Sequence, residues 1–130
     1  MTEEETKKVL TVFRAHPAIK LAYLFGSRAT GGTGPLSDYD FALYGDERNN
    51  IALFELKTQL HNELAAALKT DRVDVVMLNL AESPELKYAA VREGRLIYEV
   101  EPFRVLVEPR IMNEYFDFHE MLKRHALTRS

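Results

Sequence analysis

The chain has 130 residues, 46% of them hydrophobic, which suits one domain with a buried core and leaves no room for a second. Its formal charge of −3 gives no basic footprint, so direct nucleic-acid binding is not expected, and the lack of cysteine excludes disulfides, thiolate metal sites and cysteine nucleophiles. The start, Met1 to Lys8, is charged where a secretory signal is apolar, and no later run reaches bilayer-spanning length; the expectation is a cytoplasmic protein with no membrane contact.

Thr2 and Glu5 have the spacing of a capping box, and Val9, Leu10 and Phe13 share one helical face before His16-Pro17 ends the helix. Ile19 to Phe25 reads as a strand buried on both faces that delivers Gly26-Ser27 at its end. Gly31, Gly32, Gly34 and Pro35 then limit any following helix to about two turns. From Asp38 the sequence alternates. Asp38, Asp40, Ala42 and Tyr44 face one way, and Tyr39, Phe41 and Leu43 enter the core on the other.

A polar turn ends in an asparagine able to cap the next element, where Leu53, Leu56, Leu60, Leu64 and Leu68 mark an amphipathic helix with a structural role. Arg72 to Leu78 is the next strand, with Asp74 as its only acid; a carboxylate buried there is costly unless it is paired or binds metal. Asp71 competes weakly as a third acid but has the look of a turn residue. Ser83-Pro84 starts a short helix, with Gly94 placed as its left-handed end, and Leu96 to Tyr98 forms a last strand. Phe103 to Val107 is then stopped by Pro109, and 109–130 reads as a C-terminal helix with Ile111, Tyr115, Phe118 and Leu122 on one stripe and Met112, Phe116 and His119 on another. Tyr115 and Phe116 are expected in the core, and the breadth of the apolar surface leaves a second side for a partner.

The functional content concentrates in Gly26 to Asp40. Gly26-Ser27 leaves a strand end with free backbone N–H groups suited to phosphate, and Arg28 follows with a guanidinium fork that fits phosphate oxygens. Asp38 and Asp40 aim two carboxylates at one strand face, and with Asp74 alongside they could hold two Mg²⁺ ions for in-line displacement at phosphorus. Other uses of these residues fit poorly. No Lys-Ser/Thr follows the glycines as a Walker A loop needs, Leu43 and Asn49 stand where an EF-hand needs Gly and Glu, and glycosidase acids flank a sugar instead of sharing one strand face. His16, His61, His119 and His125 show no metal-ligand spacing.

The pattern Gly26-Ser27, Arg28-Ala29, Gly31, Ser37-Asp38, Tyr39, Asp40 and a later isolated Asp74 resembles the DNA polymerase β-like nucleotidyltransferase superfamily, and within it the minimal nucleotidyltransferases that act as antitoxins beside HEPN toxins. The resemblance covers nearly the whole chain. It implies an α/β (α+β) fold in which a small mixed sheet is backed by helices, and we expect them on one face, with the open face holding the acids. It also implies Asp38, Asp40 and Asp74 as catalytic and metal-binding residues, Gly26, Ser27 and Arg28 as nucleotide-binding residues, ATP as substrate, and AMP transfer to a tyrosine of a HEPN ribonuclease in a hetero-oligomer. Two rivals remain: an antitoxin that acts by occlusion alone, and a transferase with a small-molecule acceptor.

Overall fold

A computed structural model of the chain describes residues 1–25 and 39–128, with side chains described as far as residue 126. In chain order the elements are α1 (Glu3–Arg14), β1 (Ile19–Phe25), β2 (Tyr39–Gly45), α2 (Asn50–Leu68), β3 (Val73–Met77), α3 (Pro84–Arg92), β4 (Arg95–Glu99) and α4 (Phe103–Thr128). Among the described residues the sheet has four strands in the order β3-β2-β1-β4. β1 pairs antiparallel with both β2 and β4, whereas β2 and β3 are parallel, joined by the α2 crossover. The mixed, helix-backed sheet is the expected one.

Local chemistry sets the helix starts. The Thr2 hydroxyl accepts from the Glu5 N–H while a Glu5 carboxylate oxygen accepts from the Thr2 N–H, completing the capping box at α1. Asn49 and Ser83 each accept from a backbone N–H three residues on, opening α2 and α3. At the far end of β2, the Asn79 side chain pairs with Gly45 as a strand neighbour would, accepting from its N–H at 3.0 Å and donating to its carbonyl at 2.8 Å.

Helices cover both faces of the sheet, where one covered face was expected. On the first face Val9 and Phe13 of α1 and Leu53, Leu60 and Leu64 of α2 pack on Tyr39, Phe41, Leu43, Val73, Val75 and Met77. On the second, Ala90 and Val91 of α3 and Val107 and Ile111 of α4 pack on Leu21, Tyr23 and Ala42. The strand alternation is the physical reason. Tyr23 and Leu21 point away from the first core and carry too much apolar area to leave in water.

Pro109 does not begin the last helix, which already starts at Phe103 and runs through it. Tertiary contacts hold the helix across the lost N–H donor. Val107 and Ile111 are buried on either side of the proline, and Glu108 accepts a 2.5 Å hydrogen bond from the buried Tyr23 hydroxyl and one from Arg104 Nε at 3.1 Å. Burial, and then the Glu108 carboxylate, push the Tyr23 phenol well above its usual pKa. Beyond Ile111 the helix leaves the core. Phe116 is 57% exposed, contrary to its expected burial, and Tyr115 is only half-buried, stacked on Tyr88 at 3.8 Å between ring centroids.

Gly94 is also used differently from expectation. It has no left-handed backbone; an added Cβ would stand 2.1 Å from the Ala90 carbonyl oxygen, so the residue is needed for close approach. The left-handed helix end is instead Lys69, after α2, at φ 56°. Gly94→Ala is expected to destabilise the fold by about 1–3 kcal/mol in urea titration. Gly94→Asn should fare no better, although asparagine tolerates left-handed backbone.

Candidate active site

The sheet places Asp40 and Asp74 side by side. They are register partners across the parallel β2–β3 pair, and Phe25, the last residue of β1, is the partner of Asp40 on its other side. One row therefore runs Phe25, Asp40, Asp74 across three strands. Adjacent strands lie about 4.8 Å apart, and register partners project to the same face, so two carboxylates share a small volume. Asp40 is half-buried. Asp74, expected to be buried, is exposed, because β3 lies at the edge of the described sheet and solvent reaches it from the side. The face these acids occupy is closed by α3 and α4 further along the strands, so only its Asp40–Asp74 end is available for chemistry.

The remaining candidates, Gly26, Ser27, Arg28 and Asp38, lie outside the described residues. Their sequence positions still tie them to the row, since Gly26 follows Phe25 directly and Asp38 is two residues before Asp40. Among the described residues no group of three or more metal-capable side chains occurs. The two described acids nevertheless suit a hard divalent cation: both supply oxygen ligands, and placing them together without a cation is unfavourable by like-charge repulsion.

Tyr39, between the two candidate acids in sequence, is anchored from below. It is buried in the first core, and its hydroxyl donates to the Glu5 carboxylate in the capping box of α1. That hydrogen bond, followed by the contact with Thr2, holds the Glu5 carboxyl below the usual carboxylate range. The start of β2 is thus fixed to α1 while its alternate residues carry the acids.

A pocket of about 160 Å³ opens beside Asp74, between α2 and β3, lined by Phe54, Lys57, Thr58, His61, Asp74 and Val75. Sequence reasoning gave α2 a purely structural role and so missed it. The available signal was Phe54, an aromatic residue off the leucine stripe and 61% exposed.

Residues 7–102 match the family model described as "Polymerase beta, Nucleotidyltransferase". The chain belongs to the polymerase β nucleotidyltransferase family. Membership alone does not specify an acceptor, so individual relatives narrow the comparison. This nucleotidyltransferase domain is similar to the protein adenylyltransferase MntA of Aphanizomenon flos-aquae (strain 2012/KM1/D3), with 35% identity over 95 residues, 64% of this chain. The match spans 59% of that relative's length. Among solved structures, a toxin–antitoxin crystal structure with AMP-PNP contains a chain 29% identical with TM-score 0.72, coverage being 95% of both chains. A crystal structure of the toxin–antitoxin MntA–HepT contains one 27% identical with TM-score 0.69, covering 98% of this chain and 97% of the other. Among the described residues, no helix is long and apolar enough to cross a membrane.

Proposed function

We propose that this protein is a cytoplasmic antitoxin that transfers AMP from ATP to a protein hydroxyl, a tyrosine of a cognate HEPN ribonuclease toxin, and so silences it. The observation that carries this reading is the row Phe25, Asp40, Asp74, which sets two acids beside the strand end that leads into Gly26-Ser27. The likeness to a protein adenylyltransferase and to toxin–antitoxin structures, one of them with AMP-PNP, supports it.

In this reading Gly26 and Ser27 donate backbone N–H groups, and Arg28 its guanidinium, to the outer phosphates of ATP. Asp38, Asp40 and Asp74 would hold two Mg²⁺ ions, which when bound screen the triphosphate and favour ionisation of the acceptor hydroxyl. Asp74 takes the proton of that hydroxyl. The acceptor's hydroxyl oxygen forms the new bond to the α-phosphorus in line with the bond to the bridging oxygen that breaks, and pyrophosphate departs with that electron pair. Exposure suits Asp74 to this role, because an acceptor on another protein must reach it.

The part of α4 that has left the core is proposed as the toxin-docking element within residues 109–130 of this single domain. Phe116, Met121 and Leu122 are each more than two-fifths exposed there, spread around the helix where it has left the core. Docking without chemistry is the second reading, and labelled ATP separates the two. With the toxin partner present, label at the α-phosphate is expected to appear on the partner, label at the γ-phosphate to remain in solution, and EDTA to abolish transfer. A stable complex that takes up no α-label under any metal condition would favour occlusion alone.

A further inference from the structure

We infer that Arg72 is a positioning residue at the acid end of the sheet: its guanidinium is the counter-charge that lets Asp40 and Asp74 stand together before a divalent cation binds, and the cation displaces it. This rests on the metal-dependent transfer reading above and adds to it a residue that governs how readily the acids take up metal.

Backbone hydrogen bonds decide which face Arg72 shares. Its carbonyl accepts from the Tyr39 N–H at 3.3 Å, and beyond the other end of β3 the Leu78 N–H donates to the Leu43 carbonyl at 2.8 Å. In a parallel ladder every second residue turns its peptide groups to the neighbouring strand, so Arg72, Asp74, Val76 and Leu78 are in phase and project to one face. Leu78 is buried in the second core while Val73, Val75 and Met77 are buried in the first, as this phase requires. Arg72 therefore stands on the acids' own face, two residues and about 6.6 Å before Asp74 along the strand, a distance that an arginine side chain spans. The residue is exposed, at the end of that face which α3 and α4 leave open. Its own N–H donates to the Thr70 hydroxyl at 3.1 Å, so its backbone is held from both sides.

Charge supplies the role. Asp40 and Asp74 are register partners, and two carboxylates so placed repel each other unless a positive group stands by. Lys57 also lines the pocket beside Asp74, but it belongs to α2, which covers the opposite face, and its ammonium lies 5.9 Å from the Phe54 ring centroid. The Arg72 guanidinium is always charged, and its planar fork matches carboxylate oxygens. A divalent cation entering between the acids brings the same sign of charge to the same oxygens, so guanidinium and metal compete for them. The negative charge of a triphosphate that arrives with the metal offsets the repulsion from Arg72. The acids thus hold a lone ion weakly and take up metal together with nucleotide.

The test is Mn²⁺ binding to the full chain without nucleotide, followed by the EPR signal of the free ion. Arg72→Gln is expected to tighten binding about tenfold, Arg72→Lys to stay within about threefold of the wild type, and Lys57→Gln within about twofold. Adding Asp40→Asn to Arg72→Gln should remove the gain. Loss of a merely structural residue would weaken the site or leave it unchanged. The proposal is overturned if Arg72→Gln binds Mn²⁺ no more tightly than the wild type, if Arg72→Lys or Lys57→Gln shows the same gain, or if the gain survives Asp40→Asn. Failure of the transfer reading looks different: Mn²⁺ binding responds to Arg72 as stated, yet no α-label ever reaches a protein.

Discussion

Replacing Asp40 by Asn is expected to lower AMP transfer by about 10³-fold, equivalent to about 4 kcal/mol of transition-state stabilisation. Asparagine keeps the size of the side chain and one oxygen but loses the negative charge, and with it most of the ability to hold a divalent cation against a triphosphate. Asp40 is half-buried in the middle of its row, between Phe25 and Asp74, so no neighbouring acid can take over its position. Asp74→Asn should fall by about 10²–10⁴-fold, the range associated with loss of a positioned proton acceptor. Asp71→Asn, in the turn before β3, should leave the rate within about twofold, well inside the scatter of surface changes. Asp74→Asn should not weaken folding, because Asp74 is exposed and the change removes half of a like-charge pair. Steady-state transfer rates with urea titrations of the same proteins check both halves of the expectation. A rate loss accompanied by unfolding would mean that the acids are structural.

The second large effect is on stability. Phe13→Ala is expected to cost about 3–5 kcal/mol, the range for deleting a fully buried aromatic side chain and leaving a cavity. Phe13 is 0% exposed, meets Phe41 edge-on at 6.1 Å and Tyr98 at 5.6 Å between ring centroids, and so joins α1 to β2 and β4 together. α1 also carries Glu5, which accepts from the Tyr39 hydroxyl at the root of the acid-bearing strand. Loss of α1 packing should therefore loosen the site before the domain unfolds globally. Phe116→Ala provides the contrast. Its ring is 57% exposed, and its removal should shift the urea midpoint little while weakening any complex made through α4.

Residue periodicity made most of the fold legible. The capping box at Thr2, the leucine stripe of α2 and the alternation of β2 each involve near neighbours in sequence, and the observed elements agree with them. Features that depend on distant contacts were not legible. Nothing near Pro109 announces that Tyr23, 85 residues from Glu108, will help hold a helix across it. Gly94 signals a helix end but not that the Ala90 carbonyl occupies the Cβ position. The exposure of Asp74 depends on strand order, which places β3 at an edge, and the apolar run around Asp74 suggested burial instead.

The site divides in the same way. The acids could be picked out because a lone charge in an apolar strand is conspicuous, and their register pairing brings Asp40 and Asp74 together as expected. Gly26, Ser27 and Arg28, proposed to cradle phosphate, and Asp38, the first of the proposed acids, lie beyond the described residues and stand on their place in the sequence. The pocket at Phe54 left almost no trace, since it exists only where an exposed helix face meets a strand edge.

The central claim is that this chain modifies a protein by nucleotidyl transfer through Asp40 and its partner acids. The intact mass of the toxin partner, purified after co-expression with the wild-type chain or with an Asp38→Asn, Asp40→Asn double variant, tests it most directly. An AMP-sized increase, or a multiple of it, is expected with the wild type only. An unchanged mass in both, with a stable complex formed in each, would contradict the claim and leave occlusion as the mode of action.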